Sequence, residues 1–115
     1  KFTSIIKPAY KNSFNIIILQ SSLQYFEKPY HLLNKIIELN PLYIIIDETP
    51  IISSKEKIKI QVIPKAIYSA SYPLYILNKD KIINHFSNKF FLEDERYCLT
   101  GLGQYNYKCL IFKRR

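Results

Sequence analysis

The chain has 115 residues, of which 48% are hydrophobic and 23% charged, with a formal net charge of +8. That length suits one domain rather than two, and that composition excludes a chain too polar to form a core. No uncharged apolar stretch reaches the roughly eighteen residues a membrane-spanning helix needs, and Cys98 and Cys109 supply neither a metal set nor a CxxC pair.

Residues 1–14 show no clear period, and Lys7-Pro8 and Lys11-Asn12-Ser13 read as loop. Asn15-Ile16-Ile17-Ile18-Leu19-Gln20 is a short, continuous, β-branched apolar run. It is the pattern of a strand covered on both faces, as in a parallel sheet. Pro29 suits the first position of a helix, and Tyr30, Leu33, Ile36 and Ile37 form one apolar stripe after it. Asn40-Pro41 stops that helix, and Leu42-Tyr43-Ile44-Ile45-Ile46-Asp47 is a second apolar run. Strand, helix and strand at this spacing predict a βαβ unit.

Residues 48–77 read as a long irregular segment, opened by Glu48-Thr49-Pro50 and punctuated by Pro64 and Pro73. Within it, Lys57–Val62 alternates polar with apolar and predicts a short extended piece. A connection this long suggests a lid or binding segment. Asn78 predicts the cap of a short helix running to about Phe86, with Ile82, Ile83 and Phe86 inward. Residues 90–98 and 107–113 predict an antiparallel hairpin whose loop holds both glycines, Gly101 and Gly103. The chain is thus expected to be one α/β domain over 1–115: a βαβ unit, a long segment, a helix and a C-terminal hairpin.

The lysines are scattered, and only Lys55–Lys65 approaches a run, so the positive charge reads as solvated surface and neither nucleic acid nor membrane is expected as a partner. A nucleic-acid-binding module remains as a third reading, with strong inverse salt dependence as its signature. Both cysteines fall in strand-like runs and are expected to be free thiols in a reducing cytoplasm. His31 and His85 lack partners at metal-binding spacing and read as surface residues. No metal site is expected.

The words "LQYFEKPYHLL", "IIIDETP", "IQVIPKAIYSASYP" and "LIFKRR", in this order and spacing, resemble a family of bacterial class I (Rossmann-like) S-adenosylmethionine-dependent methyltransferases. Members of that family are often associated with surface-polysaccharide gene clusters. The resemblance runs from about Phe2 to Arg115; Lys28 departs from it, since an acidic helix cap is usual there. It implies that residues 15–20 and 42–47 are the fourth and fifth strands of a seven-stranded sheet. The hairpin would then be the sixth and seventh, set as an antiparallel pair beside the fifth. The chain is similar to the C-terminal, acceptor-side half of such a domain. Glycine-rich loops that hold the cofactor need backbone approach, and the only glycines here are the late Gly101 and Gly103.

Ligands in open α/β sheets bind beyond the carboxyl ends of the strands. Ser21, Ser22 and Gln24 are therefore candidates for the cofactor's sulfonium side. Tyr25, Thr49, Tyr68, Ser71 and Tyr72 are candidates for the acceptor, Tyr68–Pro73 being a cluster of hydroxyls. Asp47 and Glu48 are candidate bases, with no choice made between them. The implied cofactor, S-adenosylmethionine, belongs to the complete protein and is not expected to bind this chain alone. The acceptor would be a small molecule or glycan. The other reading is a non-catalytic interaction or partner domain derived from a methyltransferase. The uncharged edge at 15–20 predicts a homodimer of the isolated chain.

Overall fold

The structure is a computed structural model, and it describes residues 11–53, 55–63, 70–98 and 106–115. Among them the elements run β1 (Ile16–Gln20), α1 (Pro29–Glu38), β2 (Tyr43–Ile52), β3 (Lys57–Ile63), β4 (Ala70–Asn78), α2 (Lys79–Phe86), β5 (Phe90–Tyr97) and β6 (Asn106–Arg114). The fold is mixed α/β, built on a six-stranded sheet. Five strands follow the order β3-β4-β2-β6-β5, and β1 pairs with β2.

β2 is the junction. Its residues 43–47 pair in parallel with β1, Ile16 opposite Tyr43 through Gln20 opposite Asp47. Beyond the end of β1, Ile51 and Ile52 pair in parallel with Leu77 and Asn78 of β4. The other edge of β2 is taken by β6, antiparallel from Tyr43–Lys113 to Ile51–Asn106. β5 pairs antiparallel with β6. The βαβ unit and the C-terminal hairpin thus stand as the sequence predicts, with the hairpin beside β2 and its last strand innermost.

Residues 48–77 differ from the expectation. The segment is largely strand: β2 continues to Ile52, and β3 and β4 pair antiparallel along their lengths, from Lys57–Ile76 to Ile63–Ala70. Pro73 is accommodated because β4 meets β2 only at Leu77 and Asn78, so at Pro73 the described pairing uses one edge alone. The alternation of Lys57–Val62 was the correct signal, and the prolines misled.

Helix ends follow their chemistry. The side chain of Asn78 accepts the Lys81 N–H at 2.9 Å, capping α2 as expected. Pro29 opens α1, while Lys28 offers no side-chain cap. Asn40 closes α1 in the left-handed region (φ 56°), where asparagine is tolerated. Its side chain bonds Asn12, whose own N–H reaches Leu39 O at 2.9 Å.

The core lies on one face of the sheet. Leu33 and Ile36 of α1 and Ile82 and Phe86 of α2 join Leu19, Ile44, Ile46, Phe90, Leu110 and Phe112 in one buried cluster. Phe86 meets Phe112 at 4.4 Å between ring centroids and Phe90 at 5.9 Å. Tyr30 of α1 and His85 of α2 also touch, with ring centroids 5.0 Å apart, so both helices cover the same face. The expectation that the strand at 15–20 is covered on both faces is corrected: Leu19 is buried, but Ile16 and Ile18 are 52% and 58% exposed. Pleating sends alternate side chains to opposite faces, and the described helices cover only one.

Candidate functional site

The carboxyl end of β1 lies beside the middle of β2, Gln20 opposite Asp47; β2 runs on to Ile52, so the expectation that the second strand ends at Asp47 is corrected. Both strands are strained at this level. Ser21 (φ 49°) follows β1 and Glu48 (φ 48°) interrupts β2, and neither is glycine. A left-handed residue with a Cβ costs on the order of 1 kcal/mol. At Glu48 the strain accompanies a bulge. Ile46 opposes Leu110 and Thr49 opposes Lys108, so Asp47 and Glu48 together face Cys109. Bulges re-aim side chains and recur beside functional sites.

Hydrogen bonds tie these residues together. Ser21 N–H donates to Asp47 O at 2.9 Å. Glu48 N–H donates to Asp47 Oδ1 at 2.9 Å, and Gln20 Nε2 donates to Glu48 Oε2 at 3.2 Å. A single 3-10 turn, Leu23–Tyr25, follows β1 and places Gln24 under the site. Gln24 is only 1% exposed. Its Nε2 contacts Ser21 Oγ and Glu48 O, each at 3.4 Å, while its Oε1 is buried without a hydrogen-bond partner among the described residues. A buried unpaired acceptor is costly and calls for a donor or cation to meet it.

The remaining predicted residues are placed as follows. Ser22 is buried at the start of the 3-10 turn and makes no side-chain capping bond. Tyr25 is exposed at its end. Thr49 is fully buried, and its hydroxyl donates to Asp47 O at 2.9 Å, which braces the bulge. Ser71 and Tyr72 lie in β4 opposite Val62 and Gln61, on the stretch paired only with β3. Their backbone is six and five residues, respectively, before Leu77, where β4 meets β2. Tyr68 lies outside the described residues. The structure therefore gathers Ser21, Gln24, Asp47 and Glu48.

Both cysteines border the same carboxylate, a feature the sequence reading missed. Cys98 Sγ donates to Asp47 Oδ1 at 3.6 Å, and Cys109 faces the bulge across the β2–β6 pair. Burial, reinforced by Asp47, raises both thiols, Cys109 from 9.0 to about 11. Both are free and, so tuned, protonated rather than nucleophilic near neutrality.

A second polar cluster sits on the helix-covered side. The Tyr30 hydroxyl and the Asn78 N–H (3.0 Å) donate to Glu56 Oε2, and Lys81 Nζ reaches Oε1 at 3.2 Å. Burial alone would raise the Glu56 carboxyl, but these three donors hold it below its ordinary value. Burial, with help from Glu56, pushes the Tyr30 hydroxyl well up. His85 packs on Tyr30 with its Nε2 buried and unpaired, and burial lowers its pKa. The reading of His85 as a surface residue is thus corrected; His31 is exposed. A cavity of about 250 Å³ opens here between Pro29, Tyr30, Tyr75 and Lys81. The partners of Glu56 are 22 to 26 residues away in sequence, so no local motif announces them. Among the described residues no group of His, Cys, Asp and Glu is placed to hold a metal ion, and no helix is long and apolar enough to cross a membrane.

No protein-family model matches the chain, and no curated protein matches it.

Proposed function

We propose that this chain is the acceptor-side half of a class I S-adenosylmethionine-dependent methyltransferase. The observation that carries the reading is the convergence of Ser21, Gln24, Asp47 and Glu48 where the carboxyl end of β1 meets the bulge of β2, held by two left-handed non-glycine residues. The antiparallel hairpin beside β2 supports it, since that is where the resemblance expects the last two strands.

The chemistry fits the polar side of such a site. Methyl transfer is an in-line displacement that depends on alignment and, for a hydroxyl acceptor, on a base. The bound cofactor would supply an electrophilic methyl group on a sulfonium. Gln24 Oε1, a buried acceptor with no partner, has the polarity a cation requires, and Ser21, Ser22 and Gln24 are the residues that would line that end. Asp47 and Glu48 are the carboxylates within reach of an acceptor hydroxyl. Asp47 is steadied by the Glu48 N–H and the Cys98 thiol, whereas Glu48 meets the Gln20 amide. The adenosine end is not provided for: the sequence holds no glycine-rich loop, so those contacts come from other polypeptide. With both thiols free, the reading places the protein in a reducing cytoplasm. The acceptor is a small molecule or glycan.

Ultraviolet photolabelling of the native polypeptide with radiolabelled S-adenosylmethionine tests this. Label should fall on the proteolytic fragment holding residues 21–28. Label confined to fragments from β3, β5 or α2 would sink the proposal.

A further inference from the structure

The cavity of about 250 Å³ on the helix-covered side joins an apolar lining to an excess of negative charge. Pro29, Ile76 and Leu77 supply apolar wall, Tyr30 and Tyr75 supply rings, and Glu27, Glu56 and Lys81 supply the charges. Two carboxylates thus share one ammonium. Lys81 is committed to Glu56, its Nζ 3.2 Å from Oε1. Glu27 is exposed and meets no cation among the described residues. One formal negative charge is left over, in a chain whose net charge is +8.

The chain already seats one cation here. Lys81 Nζ meets the Glu56 carboxylate and also the Tyr30 ring, 4.7 Å from its centroid, which is cation–π range. Glu56 is fixed for that contact. Its Oε2 accepts the Tyr30 hydroxyl and the Asn78 N–H, so Oε1 is the oxygen that turns to a cation. Lys81 is held less firmly: its side chain is 61% exposed, against 25% for Glu56. A long, exposed lysine in one ion pair is readily displaced, because the pair contributes little against side-chain entropy and water.

We propose that this cavity binds a small organic ammonium, a primary amine on an apolar stem. Its charge is taken by Glu27 and Glu56 Oε1, and its stem lies along Tyr30, Tyr75 and Leu77. The Lys81 ammonium marks the position and competes for it. The volume sets the size: it falls just short of drug-sized sites and admits roughly ten non-hydrogen atoms. An anion would meet two carboxylates for one ammonium. A neutral molecule that displaced Lys81 would leave the half-buried Glu56 carboxylate without a cation. The inference does not rest on the methyltransferase reading, since none of Ser21, Gln24, Asp47 and Glu48 lines the cavity.

The probe is phenethylamine, with 2-phenylethanol as its neutral counterpart. Calorimetric titration of the native polypeptide should show saturable binding of the amine below about 1 mM, and binding of the alcohol at least about tenfold weaker. Glu27→Gln should weaken the amine about threefold without moving the melting temperature, because Glu27 is exposed. Lys81→Met removes the competing ammonium and should tighten the amine by about the same factor, a gain that a merely structural Glu56–Lys81 pair would not produce. A capped Gly-Lys-Gly peptide presents the same ammonium on a polypeptide and should bind more weakly than phenethylamine. No binding of the amine, equal binding of amine and alcohol, indifference to Glu27→Gln, or a Lys81→Met variant that binds no more tightly would overturn the proposal. So would a peptide that binds as tightly as the amine, which would make the ligand a lysine of another protein.

Discussion

Ile44 and Ile45 are the same residue at adjacent positions of one strand, yet they belong to different halves of the molecule. Ile44 is fully buried under α1 and α2; Ile45 lies half-exposed between Ile18 and Ile111. On the covered face apolar burial supplies the stability, at roughly 25 cal/mol per Å² removed from water. On the other face the same residue type leaves surface in contact with solvent. One sheet thus carries a stabilising side and a side whose apolar groups are available to something else. Polar groups divide similarly. Glu56 on the helix side is met by Tyr30, Asn78 and Lys81, while Gln24, just past the end of β1, keeps an oxygen with no partner among the described residues.

The contrast is most easily broken by truncation. Phe112→Ala removes a ring packed on Phe86 in the covered core and should cost about 3–5 kcal/mol. Ile18→Ala on the open face should change stability by no more than about 0.5 kcal/mol. Urea unfolding of both variants measures the difference, and comparable losses would mean that the open face is part of the core.

A smaller effect separates the two sides by pH. The Glu56 carboxyl is held below its unfolded value of 4.5, so its stabilisation is present above that pH and is lost as pH falls through the depressed value. The half-buried His85 acts in the same sense. Its pKa lies below 6.5, so the unfolded chain takes up the proton first and stability declines as pH falls from 6.5. Glu56→Gln should cost about 1–3 kcal/mol at neutral pH and flatten the acid limb of the stability curve. Acid unfolding followed by circular dichroism checks it; an acid limb unchanged in the variant would remove Glu56 from the account.

On the open face the titration runs the other way. Cys109, raised from 9.0 to about 11, favours the folded state as a thiol. Its contribution is complete below pH 9 and is lost as pH rises through about 11. Cys109→Ser should therefore make stability slightly less steep between those values, with little effect at neutrality. Thermal melts at a series of alkaline pH values read this directly.

How much of this the sequence disclosed depends on whether the signal was local. The runs at 15–20 and 42–47, Pro29 at the head of α1 and Asn78 as a cap are short-range patterns, and they predicted their elements within a few residues. β4 stayed hidden because Pro73 reads as a breaker until one knows that its other edge carries no described strand there. The bulge was unreadable because Glu48 adopts a conformation that sequence normally advertises with glycine or asparagine. An isoleucine run looks alike with one face covered or two, so the open face could not be foreseen. Of the candidate site, Ser21 and Gln24 followed from strand polarity; Asp47 and Glu48 were chosen as the end of a strand that in fact runs on to Ile52, and it is the bulge that sets them beside Ser21. The partners of Glu56 and the two cysteines beside Asp47 depend on tertiary proximity, which no spacing encodes.

The central claim is that the carboxyl end of β1 and the bulge of β2 form the acceptor-facing side of a cofactor site. Calorimetric titration with S-adenosylmethionine tests it most directly, performed on the native polypeptide, on its Gln24→Leu variant and on the 115-residue chain alone. The account predicts micromolar binding to the native polypeptide, about tenfold weakening by Gln24→Leu with an unchanged melting temperature, and no measurable binding to the isolated chain. An absence of binding to the native polypeptide, or binding that Gln24→Leu leaves untouched, would contradict it.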